Sequence, residues 1–355
     1  MQLTRRKFLN TASMAAAAAS TTVLSPFISK TAKAATELRV LVWESLAPDY
    51  IVEEFTKTTG VKVSRTYVSS NDEYMAKLAA GTVDYDLVDI TSSLMQRAIQ
   101  SNFIEPLDIA KIPNFKLLYP EFQNLSYFKD GDKNYGAPAF YGYLPLTLNA
   151  DVIPTRNDFD ILFDPAFKGK IAMWDDIAVI AQVAKWMGYK EPWKLGDDEL
   201  AAVKAKLIEQ KPLIRKYWTQ SGEAIELFAS GEIVASLSWS YVTQQLLKQG
   251  YNVRETLYPG ALAWVDSYTI VKGTPNRDIA HQFINYSIAP ETQAKFCTEQ
   301  KYLVTTPEAK KHMDPEIWKV VGMDQVAERL STTEFWSEVP RRSKYVEVWN
   351  EIKSA

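Results

Sequence analysis

Residues 38–64, LRVLVWESLAPDYIVEEFTKTTGVKVS, hold a strand, a helix and a second strand in succession. The apolar run 38–43 predicts a short buried strand. In 50–59 the apolar residues fall on one side of a helix, and Gly60 follows as its stop. Residues 61–64 then predict the next strand. A strand, a helix that ends in glycine and another strand are typical of βαβ units and of a parallel sheet.

The same pattern continues along the chain. Asn71 is predicted to cap a helix that ends at Ala80, and 85–90 predict a third strand. Ligands of such sheets bind at the carboxyl ends of the strands, which here lie at 43–45 and 91–93. The later elements are predicted as strands over 144–149, 171–173 and 233–237 and as helices over 177–187, 221–229 and 276–288.

The amino-terminal segment carries the marks of an export signal. It holds a twin-arginine pattern in 4–9, TRRKFL, then a mild apolar stretch, 14–20, and then the cleavage pattern Ala32-Lys33-Ala34. The apolar stretch is far shorter than the roughly 20 residues that span a bilayer. We therefore expect a signal peptide over 1–34, cleavage after Ala34, and export to the periplasm by the twin-arginine route.

The charge balance excludes one class of partner. The chain has 40 lysines and arginines against 43 aspartates and glutamates, and the leader over 1–34 contains five of those cations and no acid. The mature part is therefore more acidic than the whole, and without a basic face we expect no nucleic-acid partner. The length of 355 residues indicates two domains. We expect the protein to be a monomer.

Cysteine and histidine usage argues against metal and cofactor chemistry. Cys297 is the only cysteine, so no internal disulfide can form, and we expect a half-buried thiol on a helix. The two histidines, His281 and His312, lie far apart in the sequence with no zinc, haem or iron–sulfur spacing around them. We therefore expect no metal and no cofactor.

The stretch 263–267, AWVDS, carries the strongest indication of a site. Residues two apart on a strand point to the same face, so Trp264 and Asp266 would offer an aromatic wall and an anion to one space. That pair suits an organic cation, because the carboxylate takes the ammonium and the ring covers the charge and the methylenes. The alternative is an ordinary core tryptophan beside a surface aspartate.

Other aromatic and acidic residues stand at predicted strand ends. Trp43 and Trp239 do so, as Trp264 does, and small polar neighbours surround them. Asp175 and Asp176 follow the strand 171–173 at the start of a helix, where one would cap the helix and the other would face the crevice. These residues together indicate an aromatic box with acidic ends.

Eight stretches along the mature chain resemble the spermidine/putrescine-binding proteins of polyamine ABC transporters, which belong to the bacterial extracellular solute-binding proteins. The stretches are 53–63, 85–88, 135–149, 165–169, 175–176, 231–232, 238–239 and 264–267. The resemblance implies an α/β, two-lobed periplasmic-binding-protein fold, type II-like, in which each lobe is a mostly parallel sheet flanked by helices and the ligand cleft lies between the lobes. It places lobe 1 at 35–141 plus 265–306 and lobe 2 at 142–264 plus 307–355.

The resemblance also implies a function and a set of contacts. The protein would be no enzyme; it would close on a small cationic amine and deliver it to an inner-membrane ABC permease. We add Glu44 as an extra acid near a strand end, although exposure on the surface is expected for Glu44 and Asp89 alike. The expected ligand-binding residues are Trp43, Glu44, Thr91, Asp176, Trp239, Trp264 and Asp266.

Three positions depart from the pattern of that family. Leu46 stands in place of a tyrosine, Val179 in place of a glutamate, and Ser337 in place of a glutamine. The polar groups that would hold further ligand nitrogens are therefore thinned, and an unpaired buried ammonium costs several kcal/mol. The ligand is then putrescine, spermidine or a related organic cation, and the alternatives are a quaternary amine, an amino-acid conjugate or a phosphonate.

An exported enzyme is the more distant alternative. The sequence has no G-x-S-x-G elbow and no metal-ligand spacing, and neither histidine lies near an acidic motif. Asp175 and Asp176 are adjacent, so their side chains would point in different directions.

Overall fold

The computed structural model of the protein describes residues 37–81, 84–326, 330 and 333–355. The leader expected over 1–34 lies outside these residues. Within the described ranges, no helix has the length and apolarity that a bilayer span requires.

Strands and helices alternate through most of the chain. The strands are β1 (Glu37–Trp43), β2 (Lys62–Val68), β3 (Leu87–Thr91), β4 (Ile104–Glu105), β5 (Lys129–Asp130), β6 (Lys133–Asn134), β7 (Ala137–Tyr143), β8 (Leu146–Asn149), β9 (Ile171–Trp174), β10 (Ile214–Trp218), β11 (Ala235–Leu237), β12 (Val253–Thr256), β13 (Ala263–Val271) and β14 (Leu303–Val304). The α-helices are α1 (Asp49–Thr59), α2 (Asn71–Ala80), α3 (Ser92–Gln100), α4 (Pro120–Gln123), α5 (Ala178–Trp186), α6 (Asp197–Gln210), α7 (Ser221–Ala229), α8 (Ser240–Lys248), α9 (Arg277–Ser287), α10 (Pro290–Gln300), α11 (Pro315–Val320) and α12 (Arg342–Ser354).

The first sheet has the strand order β14-β7-β13-β3-β1-β2, with β4 paired to β13. Its β2, β1 and β3 are parallel, as the βαβ pattern of the sequence predicts. β13 runs antiparallel to both β3 and β7 because it enters directly from the second sheet, without the crossover helix that parallel neighbours need.

The second sheet has the order β10-β9-β11-β8-β12. Here β10, β9 and β11 are parallel, whereas β8 pairs antiparallel with β11 and β12. The expected parallel character is therefore confirmed for three strands of each sheet, and antiparallel strands that the local sequence pattern does not predict complete both. The chain passes between the sheets from β7 to β8 and from β12 to β13, and the described residues group as one unit.

Two helix ends show how local sequence signals act. α1 ends at Gly60, which adopts a left-handed φ of 73° and donates its N–H to the carbonyl of Thr56, as predicted. The prediction that Asn71 caps α2 is wrong. Ser70 is the cap, in an extended conformation, and its side chain accepts from the N–H of Glu73.

The segment after 306 divides between the two sheets. A 3₁₀ turn, Pro307–His312, packs on α10 beside β14, whereas α12 packs on α6 and Lys204 meets Glu351 at 2.7 Å. The lobe limits that the resemblance implies stay a prediction.

The cysteine and histidines all have structural surroundings. Cys297 lies on α10 as expected but is fully buried rather than half-buried, and burial raises the pKa of its thiol to about 12. His281 Nε2 accepts from the N–H of Asp108 at 2.9 Å. His312 lies at the surface, 3.4 Å from Glu291. Cys297 and His281 are therefore buried parts of the fold, whereas His312 contacts Glu291 at its surface.

Candidate ligand-binding site

A cavity lies between the two sheets at the carboxyl ends of their parallel strands, and its volume is about 630 Å³ when the space open to solvent is counted. This is where α/β sheets bind ligands. Both sheets contribute walls, through the ends of β1, β2 and β3 on one side and of β9, β10 and β11 on the other. The lining consists of Trp43, Glu44, Ser45, Leu46, Val68, Ser69, Asn71, Thr91, Trp174, Thr219, Gln220, Ser221, Trp239, Trp264, Asp266, Tyr302 and Trp336.

Six of the seven residues expected from the sequence come together in this lining. They are Trp43, Glu44, Thr91, Trp239, Trp264 and Asp266. The seventh, Asp176, lies outside it. Their roles as ligand contacts stay predictions.

The aromatic walls hold one another in place. The ring of Trp239 meets that of Trp174 edge-on at 4.7 Å and that of Trp264 at 6.2 Å. Trp264 in turn packs edge-on against Tyr302 at 5.1 Å. Edge-to-face contacts of this kind add stability beyond the area they bury, so the rings form a fixed box rather than loose side chains.

Trp264 is fixed by its backbone neighbours as well. Its indole N–H donates to the carbonyl of Tyr143 at 3.2 Å. Gly142 stands opposite it on β7, where a Cβ atom would lie only 2.7 Å from the indole ring. A side chain at position 142 would therefore displace the ring, and the absence of one at Gly142 sets the position of this wall.

Asp266 provides the buried charge of the cavity. It is 5% exposed, and burial raises the pKa of its carboxyl to about 7. Its Oδ1 has no hydrogen-bond partner in the described part of the chain. The alternative of a surface aspartate beside a core tryptophan is therefore wrong, because Asp266 and Trp264 share one buried face.

Two further acids were expected at the surface. Glu44 is exposed at the edge of the cavity, as expected. Asp89 is 0% exposed, so the expectation is wrong for this residue. Its strand, β3, lies between β1 and β13 in the middle of the sheet, and all five of its residues are buried.

Neither acid of the pair after β9 faces the cavity freely. Asp176 caps α5 by accepting from the N–H of Ala178 at 2.8 Å, and its other oxygen accepts from Asn71 at 3.4 Å. Asp175 accepts from Trp349 and Lys353, both at 2.7 Å. The expectation that the non-capping acid faces the crevice is wrong, because α12 covers Asp175.

Several residues that line the cavity were not predicted from the sequence. Trp174 ends a predicted strand, so the rule that found Trp43 would have found it too. Thr219 to Ser221 follow β10, an edge strand in which Arg215 and Lys216 interrupt the apolar residues, so the sequence pattern did not predict it. Tyr302 precedes β14, which is only two residues long. Of the three departures, Leu46 lines the cavity, whereas Val179 is buried inside α5 and Ser337 lies beside the lining residue Trp336.

Two helix-flanked sheets joined by direct crossings, with a cavity walled by both, define the class of two-lobed solute-binding proteins. The chain belongs to the bacterial extracellular solute-binding protein family, whose sequence model matches residues 50–324.

The chain is also similar in sequence and structure to proteins whose names include a ligand. The chain is 25% identical to the spermidine/putrescine-binding periplasmic protein 1 of Haemophilus influenzae over 332 residues, 92% of this chain and 91% of that protein. It is 27% identical to the putrescine-binding periplasmic protein PotF of Escherichia coli over 278 residues, 72% of this chain and 74% of that one. A solved structure from Listeria monocytogenes, classed with spermidine/putrescine ABC transporters, aligns with a TM-score of 0.78 and 25% identity and covers 90% of this chain and 99% of that one.

Proposed function

We propose that the protein is the periplasmic solute-binding component of an ABC importer and that it binds a polyamine, or a related organic cation, in the cavity between the sheets. One observation carries the proposal. Asp266 is a buried carboxylate that opens into a box of tryptophans, and no cation forms a salt bridge with it among the described residues. The names of the relatives supply the ligand class.

The ligand would provide the cationic partner that Asp266 lacks and an apolar chain for the tryptophan rings to cover. Its terminal ammonium would donate to Asp266, and charge-assisted hydrogen bonds of this kind are about twice as strong as neutral ones. The rings of Trp239 and Trp264 would cover the methylenes and the flank of the charge. A cation beside Asp266 favours the ionised carboxylate and so lowers the pKa that burial has raised.

Binding would favour a closed arrangement of the two sheets. The ligand touches both walls only when they lie close together, so it stabilises that state over a more open one. Contacts across the cavity already connect the walls, since Asn71 on α2 donates to Asp176 and Arg342 on α12 meets Asp72 at 2.8 Å. The closed form is the one that an inner-membrane permease would receive.

The lining favours a ligand with one deeply buried ammonium. Asp266 and Glu44 are the acids of the lining, and Glu44 is exposed. The rest of the polar lining is neutral and consists of Ser45, Ser69, Asn71, Thr91, Thr219, Gln220, Ser221 and Tyr302. A third, internal ammonium such as that of spermidine would lack a buried partner, so putrescine fits this lining better.

A second candidate is the same scaffold with another solute, such as a quaternary amine or an amino-acid conjugate. Leu46 favours it, because an apolar side chain lines the cavity where the family has a tyrosine. Asp266 disfavours a phosphonate, whose anionic oxygens would meet a buried acid. We propose binding without catalysis, as in the transport proteins that the chain resembles.

The route to the periplasm is also part of the proposal. The twin-arginine pattern, the apolar stretch and the cleavage pattern of 1–34 support export and removal of the leader after Ala34. A fusion of 1–40 to a reporter would test this, since replacement of Arg5 and Arg6 by lysines should keep the reporter in the cytoplasm.

The ligand is tested by thermal unfolding of the protein without its leader, residues 35–355, against polyamines, quaternary amines, amino acids, sugars and phosphonates. A ligand that binds only the folded state adds about 2.7 kcal/mol at a hundredfold excess over its dissociation constant. We expect putrescine to raise the melting temperature. If another class raises it and polyamines do not, the ligand assignment is wrong and the scaffold assignment holds.

A further inference from the structure

Two buried aspartates stand on the neighbouring strands β13 and β3. Asp266 lines the cavity, whereas Asp89 is completely buried and lies outside the lining. Both oxygens of Asp89 and Oδ1 of Asp266 have no hydrogen-bond partner within the described ranges. Three unpaired oxygens on two buried acids are costly, because a buried charge needs a partner.

The strand register places the two carboxyls on the same face of the sheet. Asp266 stands opposite Thr91, and Asp89 stands opposite Tyr268, two residues along each strand. Side chains two residues apart share a face, and diagonal neighbours on paired strands have Cβ atoms roughly 7 Å apart or less. The charge of Asp266 acts on Asp89 at this separation and, after burial, is the second cause that raises the pKa of Asp89 well above its usual range.

Thr91 stands opposite Asp266 and offers its hydroxyl to that carboxyl, whereas the two tyrosines beside the pair have no proton to spare for Asp89. Tyr74, from α2, donates to the carbonyl of Leu41 at 2.6 Å and accepts from the N–H of Asp89. Tyr268, from β13, donates to the carbonyl of Leu46 at 3.0 Å. Both phenol protons are therefore committed elsewhere. No lysine, arginine or histidine of the described chain forms a salt bridge with either aspartate.

We propose that Asp89 keeps its proton and donates it in a hydrogen bond to Oδ1 of Asp266, so that the pair presents a single negative charge to a cationic ligand. The bond gives the carboxyl of Asp266 a second donor, beside the hydroxyl of Thr91, which stands opposite Asp266 on β3 and faces the same carboxyl. Asp89 is then a positioning residue, which orients Asp266 and stabilises its ionised form without touching the ligand. This inference rests on the proposed function only for its effect on ligand affinity.

The aspartate pair couples ligand binding to the release of a proton. At pH 6 the unliganded pair carries two protons, one on each acid. A cation that docks at Asp266 requires that carboxylate to be ionised, so its proton leaves to solvent while Asp89 retains its own. At pH 8 Asp266 is already ionised and no proton is released.

The first measurement needs no ligand. Aspartate labelled with ¹³C at the side-chain carboxyl reports protonation by NMR in the protein without its leader. We expect one protonated aspartate at pH 8 in the wild type and none in Asp89→Asn. If every aspartate of the wild type is ionised at pH 8, Asp89 carries no proton and the inference is overturned, whatever the ligand.

The second measurement is calorimetry with putrescine at pH 6 and pH 8, in two buffers with different heats of ionisation. The wild type should release close to one proton at pH 6 and bind about tenfold more weakly than at pH 8. Asp89→Asn keeps a donor and should stay within about threefold of the wild-type affinity at pH 8, whereas Asp89→Leu should bind at least about tenfold more weakly.

Together, the two Asp89 variants distinguish a positioning role of Asp89 from a loss of folding. Both must show wild-type far-ultraviolet circular dichroism and cooperative unfolding. If Asp89→Asn loses as much affinity as Asp89→Leu, the charge of Asp89 acts directly and the inference is wrong. If Asp89→Leu binds as the wild type does, with the same proton release, Asp89 does not act through Asp266. A wild type that binds no amine contradicts the proposed function and leaves the NMR result to decide the protonation of Asp89.

Discussion

Asp266 on β13 and Asp176 after β9 stand on the two sheets that face each other across the cavity, and the family pattern gives both the same task. The structure treats them differently. Asp176 has a hydrogen bond on each oxygen, one from Ala178 and one from Asn71. Asp266 has an orphaned oxygen and no cationic partner among the described residues. A satisfied acid holds the fold together, whereas an unsatisfied one is available to a ligand.

The difference follows from the backbone around each residue. Asp176 precedes a helix, whose first N–H groups need acceptors, so the helix takes up the carboxylate. Asp266 lies within a strand whose backbone groups already pair with β3 and β7. No helix N-terminus takes up its carboxylate, so the charge stays available to a cation in the cavity.

The largest expected effect is on affinity. Asp266→Asn removes the buried charge and should weaken putrescine binding at pH 8 by a hundredfold or more, about 3 kcal/mol. Isothermal calorimetry measures it. Asp278→Asn is the matched control, since that carboxylate is exposed beside Lys111 and should change nothing. Equal affinities for all three proteins would show that Asp266 is not the anchor.

The same substitution should change stability in a pH-dependent way. The pKa of Asp266 is about 7 in the folded protein and about 3.9 in the unfolded chain. Between these values the folded protein holds a proton that the unfolded chain has lost, so a rise in pH lowers the free energy of unfolding. The free energy of unfolding of Asp266→Asn, taken relative to that of the wild type, should therefore rise by about 2 kcal/mol between pH 5 and pH 7.

Urea unfolding at both pH values, without ligand, measures this difference. A gain that is the same at pH 5 and pH 7 would show that Asp266 does not titrate in this window. Asp266 would then not behave as a buried carboxyl without a partner, which is the observation that the proposed ligand class depends on.

How far the sequence predicts these features depends on the range of the interaction. The bounds of α7 over 221–229 and the stop of α1 at Gly60 were predicted and are confirmed, because turn and cap signals act within a few residues. The placement of Trp264 and Asp266 in one strand also needs only local alternation. The helix ends and the shared strand of Trp264 and Asp266 could therefore be predicted from the local sequence.

Long-range contacts were not predictable in this way. Asp89 is buried because β13 returns to pair with β3, and the sequence around Asp89 carries no sign of that pairing. Asp175 is covered by α12, whose Trp349 and Lys353 lie near the end of the chain. The capping residue of α2 differs by one position because Ser70 and Asn71 are both good caps, and only the backbone conformation decides between them.

A smaller effect on binding is expected from the glycine opposite Trp264. Gly142→Ala places a methyl group 2.7 Å from the indole ring, closer than a real contact allows, so the ring must move. We expect about a tenfold loss of putrescine affinity, about 1.4 kcal/mol. Gly222→Ala is the control, because its Cβ would meet nothing within 4 Å. If both variants bind as the wild type does, the position of the Trp264 wall does not matter for the ligand.

The smallest expected effect concerns Asp176 and tests the other half of the comparison. Asp176→Ala and Asp176→Asn both remove the charge, but only asparagine keeps an oxygen that can accept from the N–H of Ala178. The alanine variant should therefore be less stable than the asparagine variant by about 1 kcal/mol, the usual contribution of a helix cap. Urea unfolding at pH 8 measures this, and calorimetry with putrescine should show less than a tenfold change for either variant, about 1.4 kcal/mol at most. Equal stability of the two variants, together with a large loss of affinity in both, would mean that Asp176 serves the ligand as Asp266 does.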